Sequence, residues 1–132
     1  MPDEGIGTRV SILGDKEYKA ALSDINRSLA VLNSSMDASQ SAFKGQENSM
    51  EALRDRSQRL QAVYDAQKQK TELIAAQLAK AKQEYGENSK QADALQIALN
   101  RATKQMNLTG AEIDKTNAAM EEAGNAGSEM IQ

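Results

Sequence analysis

The side chains that could move protons in this 132-residue chain are its carboxylates, because it contains no His and no Cys. The closest pairs are Asp3 with Glu4, Glu112 with Asp114, and Glu121 with Glu122. Successive residues of a helix point roughly 100° apart, so Glu121 and Glu122 do not converge on one substrate, and no apolar surroundings stand ready to shift their pKa values. They read as a solvated acidic face. Asp114 is not followed by the Asp/Asn and Gly spacing of a Ca²⁺ loop. Gly5-Ile6-Gly7 lacks both the third glycine and the preceding strand of a dinucleotide-binding turn. Without His or Cys there is no ordinary zinc site, thiol nucleophile, Ser-His relay, haem axial pair or disulfide framework. The sequence therefore predicts a non-enzyme, with no catalytic residue, no metal site and no cofactor.

Charge patterning argues against two classes of partner. The 16 basic and 19 acidic residues nearly cancel. The basic run Arg54, Arg56, Arg59, Lys68 and Lys70 is interleaved with Asp55 and Asp65, with Asp55 and Arg59 at a favourable i,i+4 spacing. That is a solvated helix face, and neither a clustered basic surface nor a stacking platform for nucleic acid is visible. The longest run free of charged residues, Ser28 to Met36, is far shorter than the roughly 20 apolar residues that span a bilayer. The N-terminus, Met1-Pro2-Asp3-Glu4, carries no secretory signal. No nucleic acid, no membrane and synthesis in the cytoplasm are the expectations. Asn26-Arg27-Ser28, Asn33-Ser34-Ser35 and Asn107-Leu108-Thr109 then read as chance glycosylation matches.

The elements that remain are helical. Aromatics make up 3% of the chain while Ala is abundant at 21 residues, a poor stock for a compact core and a good one for long helix. Residues 6 to 13, Ile-Gly-Thr-Arg-Val-Ser-Ile-Leu, are β-branched and apolar between glycines, and predict a short strand with no partner strand in this chain. Asp15 is placed to cap a helix, and no Pro follows it. From Tyr18, alternate steps of four and three reach Ala123 through 31 positions, of which 23 are apolar and none is charged. The span holds 28 charged residues, so their complete avoidance of this frame marks a real 3.5-residue repeat, the signature of helices that wind around one another. The predicted oligomerisation seam comprises Tyr18, Leu22, Ile25, Leu29, Leu32, Leu60, Tyr64, Ile74, Leu78, Leu95, Leu99, Met106 and Ile113. Tyr85 lies on the same line, and all three tyrosines read as packing residues.

Punctuation divides the repeat. Gly45 and Gly86 suit helix ends, while Asn48 with Glu51 and Asn88 with Gln91 suit capping boxes. The reading is an N-terminal segment at 1–14, a coiled-coil region at 15–123 with helices at about 15–44, 47–85 and 88–123, and a flexible tail at 124–132. The fold class is all-α: long coiled-coil helices preceded by a short strand. Two arrangements stay open. A reversal at Gly86 makes an antiparallel hairpin with Leu78 facing the neighbourhood of Leu95 and Ile74 that of Leu99; an unbroken frame makes a rod of about 160 Å. Either leaves seam uncovered, so self-association through the coiled coil is expected.

The opening IGTRVSILGDKEYKAALSDINRSLAVLNSSM, and then LQAVYDAQKQKTELIAAQLAKAKQEYGENSKQADALQIALNRATKQM, resemble the N-terminal region of tail tape measure proteins from phages and prophages of Gram-positive bacteria. The shared features are a short strand, a helix with a Tyr, Leu, Ile, Leu seam, a long Gln/Lys/Ala-rich helix, the Tyr85-Gly86-Glu87-Asn88-Ser89 break and a further LxxxLNxA helix. The resemblance covers residues 6 to 123. Members of that family are much longer, so it also implies a fragment. It further implies a structural protein of virion assembly, a helical ruler in the lumen of the virion tail, made in the bacterial host cytoplasm. Tail tube subunits and tail assembly chaperones would be its partners. A free-standing coiled-coil adaptor is the alternative reading of the same seam.

Overall fold

The computed structural model describes residues 14 to 131, with side chains described as far as Gly124. Three α-helices follow one another: α1 (Asp15–Ala42), α2 (Met50–Tyr85) and α3 (Lys90–Ile131). The described residues are all-α. The strand expected at 6–13 lies outside them.

The chain turns back at both glycine sites, so the helices form two consecutive antiparallel hairpins and not an unbroken rod. The backbone gives the reason. Gly45 and Gly86 adopt φ of 88° and 103°, a conformation that an L side chain resists and that ends a right-handed helix. Each following helix is then started by a serine. Ser49 Oγ accepts from Ala52 N–H and Ser89 Oγ from Ala92 N–H, both at 3.1 Å. The caps thus sit one residue beyond the expected Asn48 and Asn88, because the serine hydroxyl is the group that reaches the free amide of the third helical residue. At the start of α1 it is Gly14 that occupies the cap position, with no side-chain cap bond, and Asp15 is the first helical residue.

The helices begin and end within a few residues of expectation except at the far end. There α3 continues to Ile131, through most of the stretch anticipated as a tail. A helical glycine costs only about 1 kcal/mol relative to Ala. No Pro interrupts this stretch, and Gly124 rests against the start of α2, where a Cβ built on it would lie 3.8 Å from Met50 Cε.

Helix α2 is the centre of the molecule, packed against α1 on one side and α3 on the other. Its nine buried residues include Leu53, Leu60, Val63, Leu73, Ile74 and Leu78. The three helices meet in one cluster of Tyr18, Leu73, Ile74 and Ala102, flanked by Leu22, Ile25, Leu95 and Leu99. Ile74 is its best-covered member, 2% exposed. Ile74 and Leu99 share this cluster, in keeping with the hairpin register read from the repeat. Away from the cluster, the backbones of α1 and α3 do not pack on one another, and a groove runs between them.

Candidate functional site

The only candidate site that the sequence offers is the seam, and the structure folds it largely onto itself. Tyr18, Leu60, Ile74 and Leu78 are buried within the chain. Leu22, Ile25, Leu29, Leu32, Tyr64, Leu95, Leu99, Met106 and Ile113 are half-buried. The division follows position in the bundle: central α2 is covered from two sides, whereas α1 and α3 are covered chiefly by α2. Sequence reasoning missed Ala52, Val63, Leu73 and Gln77, all buried on α2 beside the seam. A helix packed from two sides needs a wider apolar stripe than a single coiled-coil seam, and Val63 and Leu73 were its visible sign.

Most polar seam positions find partners. Ser39 of α1 donates to Asp55 of α2, and Arg59 reaches both Asp55, at 2.8 Å, and Ser35. These four residues fasten the end of α1 to the beginning of α2. The Arg59 guanidinium and the Ser39 hydroxyl hold the Asp55 carboxyl below the usual carboxylate range. On the other side of α2, Arg56 meets Glu112 of α3 at 2.8 Å, with Lys115 near the same carboxylate. Ser57 Oγ donates to Asn117 Oδ1 at 3.3 Å. Thr71, Thr109 and Thr116 return their hydroxyls to the carbonyls of Gln67, Gln105 and Glu112, four residues back. In this way a hydroxyl at a seam position satisfies its own polarity without a partner helix. In the first turn, Gly45 N–H donates to Glu47 Oε2 at 2.9 Å and, with Glu47's own N–H, lowers that carboxyl's pKa. Burial raises the pKa of the Tyr18 phenol.

The described acidic residues considered for catalysis are not gathered, and Asp3 and Glu4 lie outside the described residues. Glu112 is engaged by Arg56, while Asp114, Glu121 and Glu122 are exposed. Among the described residues no His/Cys/Asp/Glu group has the geometry to hold a metal ion, and no helix is long and apolar enough to cross a membrane. What the arrangement offers chemically is a pair of helix faces with half-covered apolar residues, bordered by amides and a few charges. No protein-family model matches the sequence, and no curated protein or solved structure matches it either.

Proposed function

We propose that the chain is a helical structural element of a phage or prophage tail, corresponding to the N-terminal region of a tape measure protein. The observation that carries the reading is the seam: 31 consecutive positions at alternating 4-3 spacing without a charge, in a chain with no Pro after residue 2. The opening sequence, from which a strand and then a helix are predicted, and the Tyr85-Gly86-Glu87-Asn88-Ser89 break supply the resemblance that directs it to this family. Its work would be assembly through half-covered seam residues, with itself, with tail tube subunits and with assembly chaperones, in the tail lumen after synthesis in the host cytoplasm. No turnover is involved.

The folded length matters to this reading. Helix α2, 36 residues, is about 54 Å long, whereas the whole helical region laid end to end approaches 160 Å. A ruler therefore requires the two hairpins to open at Gly45 and Gly86, exchanging contacts within the chain for the same seam contacts with other helices. The fold-back itself favours a second reading, a coiled-coil adaptor that works as a closed bundle. Deleting residues 47–88 from the gene in a tail-producing strain separates the two. The ruler reading expects tails shorter by about 60 Å. Tails of unchanged length that still assemble would favour the adaptor.

A further inference from the structure

Helix α1 carries a second heptad line that the fold leaves open. On α2, the residues that meet α1 (Asp55, Arg59 and Gln77) and those that meet α3 (Ser57 and Tyr64) point roughly 150° apart, wider than three mutually touching helices allow. The result is a groove, with a cavity of about 380 Å³ between α1 and α3. Its α1 wall is formed by Leu22, Asn26, Leu29 and Asn33, at successive spacings of four, three and four. The leucines are half-buried and the asparagines exposed. This line lies beside the one that α1 turns to α2 through Tyr18, Ser35 and Ser39. Leu at one heptad position and Asn at the other is the pattern of a parallel two-stranded coiled coil. There the leucines meet in pairs, and an Asn pair across the axis fixes orientation and register at some cost in stability.

We propose that a second copy of this chain occupies the groove, with the two α1 helices parallel and in register about a two-fold axis, so that Leu22, Asn26, Leu29 and Asn33 each meet their own counterparts. Each α1 then lies in the other chain's α1–α3 groove, and the α2 and α3 helices of the two chains stand on opposite sides of the α1 pair. An antiparallel pair would bring both α2 helices to the same side, where the partner's α2 and α3 collide with the first chain's. Charge is complementary as well. Towards its N-terminal end the line continues through Lys19 and Asp15, one turn apart and bordering the adjoining cavity. Across the axis each Lys19 reaches the partner's Asp15, and these two reciprocal ion pairs offset the approach of the two lysines. The area is sufficient. From Asp15 to Asn33, α1 is a cylinder about 27 Å long and about 10 Å wide. Covering half of that length's flank and a quarter of the matching length of α3 in each chain buries about 1,200 Å² in total, more than the roughly 1,000 Å² that a specific interface needs. The inference gives the self-association of the proposed function a face and an orientation and rests on that part of it, without requiring the tail assignment.

The chain has no cysteine, so single replacements at the exposed asparagines report the pairing directly. In the full chain, Asn26→Cys and Asn33→Cys are each expected to form an interchain disulfide under mild oxidation at least ~10 times faster than Val31→Cys, on the outer face of α1. Both must do so, because in a parallel pair every position on the line meets itself, whereas in an antiparallel pair only one position can. Rapid closure at only one of the two would overturn the proposal. In the cysteine-free chain, Asn26→Asp sets two like charges against each other and should weaken dimerisation at least ~10-fold in sedimentation equilibrium, with helix content unchanged. A chain that self-associates while all three cysteine variants link at equal rates would overturn this face and leave the assembly reading standing. A chain that sediments as a monomer would overturn both.

Discussion

Tyr64 of α2 lies across the backbone of α3 at Gly110, with its ring edge 3.5 Å from where a Cβ on that glycine would stand. This is ordinary van der Waals contact, so an alanine fits without displacing the ring. Gly110 also lies inside a helix, where glycine is less favourable than alanine by about 1 kcal/mol. Gly110→Ala is therefore expected to stabilise the bundle by about 0.5–1 kcal/mol in urea unfolding, while Gly110→Val pushes Tyr64 aside and destabilises it. A destabilising Gly110→Ala would show that α2 and α3 are in closer contact there.

The cluster joining all three helices is centred on Ile74. Ile74→Ala should cost about 2–5 kcal/mol, since the cavity is enclosed by residues from every helix and cannot readily collapse. Val31, 63% exposed on α1, is the natural control, and Val31→Ala should change the urea midpoint little. Equal effects at the two positions would contradict the bundle.

Removal of the serine caps tests the two turns separately. Ser49→Ala and Ser89→Ala each remove a 3.1 Å bond to a free helix amide and should cost about 1 kcal/mol. Asn48→Ala and Asn88→Ala, one residue earlier, should cost much less. The reverse order of effects in thermal melts would return the caps to the asparagines.

The pH profile should fall on both sides. The Asp55 carboxyl is held low by Arg59 and Ser39, so its contribution is present above the ordinary carboxylate range and is lost as pH falls through the depressed folded value. Asp55→Asn should flatten the acid limb. The Tyr18 phenol is raised by burial, so its contribution is present below about pH 10 and is lost as pH climbs through the raised folded value. Tyr18→Phe should flatten the alkaline limb. Urea midpoints measured from pH 2 to 11 check both, and an unchanged limb in either variant would rule out the corresponding group.

Self-association can be tested at Leu32 and Ile113, half-buried seam residues on the two helices that α2 chiefly covers. Under the proposed function, Leu32→Gln with Ile113→Gln should weaken association at least ~10-fold, about 1.4 kcal/mol, in sedimentation equilibrium. Circular dichroism should show unchanged helix content. A parent chain that is monomeric at high concentration would remove the basis of the assembly reading.

Much of this fold is visible in the sequence because one physical signal dominates it. The 3.5-residue repeat locates the helices, Gly45 and Gly86 mark the breaks between them, and the Ile74–Leu99 pairing follows from the hairpin alternative. The choice between hairpin and rod is not legible, because the same seam is satisfied by contacts within a chain or between chains. Nor is the width of the buried stripe on α2, which depends on having two neighbours and brings in Val63, Leu73 and Gln77. The serine caps are missed by one residue, since asparagine and serine cap about equally well and only the backbone path decides which hydroxyl or amide is in reach. The continuation of α3 beyond Gly124 is missed for a related reason: a glycine marks a helix end only where the backbone takes positive φ, and among the described residues only Gly45 and Gly86 do.

The central place of α2 has a consequence for the order of events during synthesis. Each helix packs mainly on its immediate neighbour in sequence, so nearly all tertiary contacts close over short stretches of chain, the circumstance in which helical proteins fold fastest. The α1–α2 hairpin, pinned by Arg59 against Asp55 and Ser35, can form while α3 is still being translated. It would then present the uncovered side of Leu73 and Ile74 as the template on which the last helix condenses.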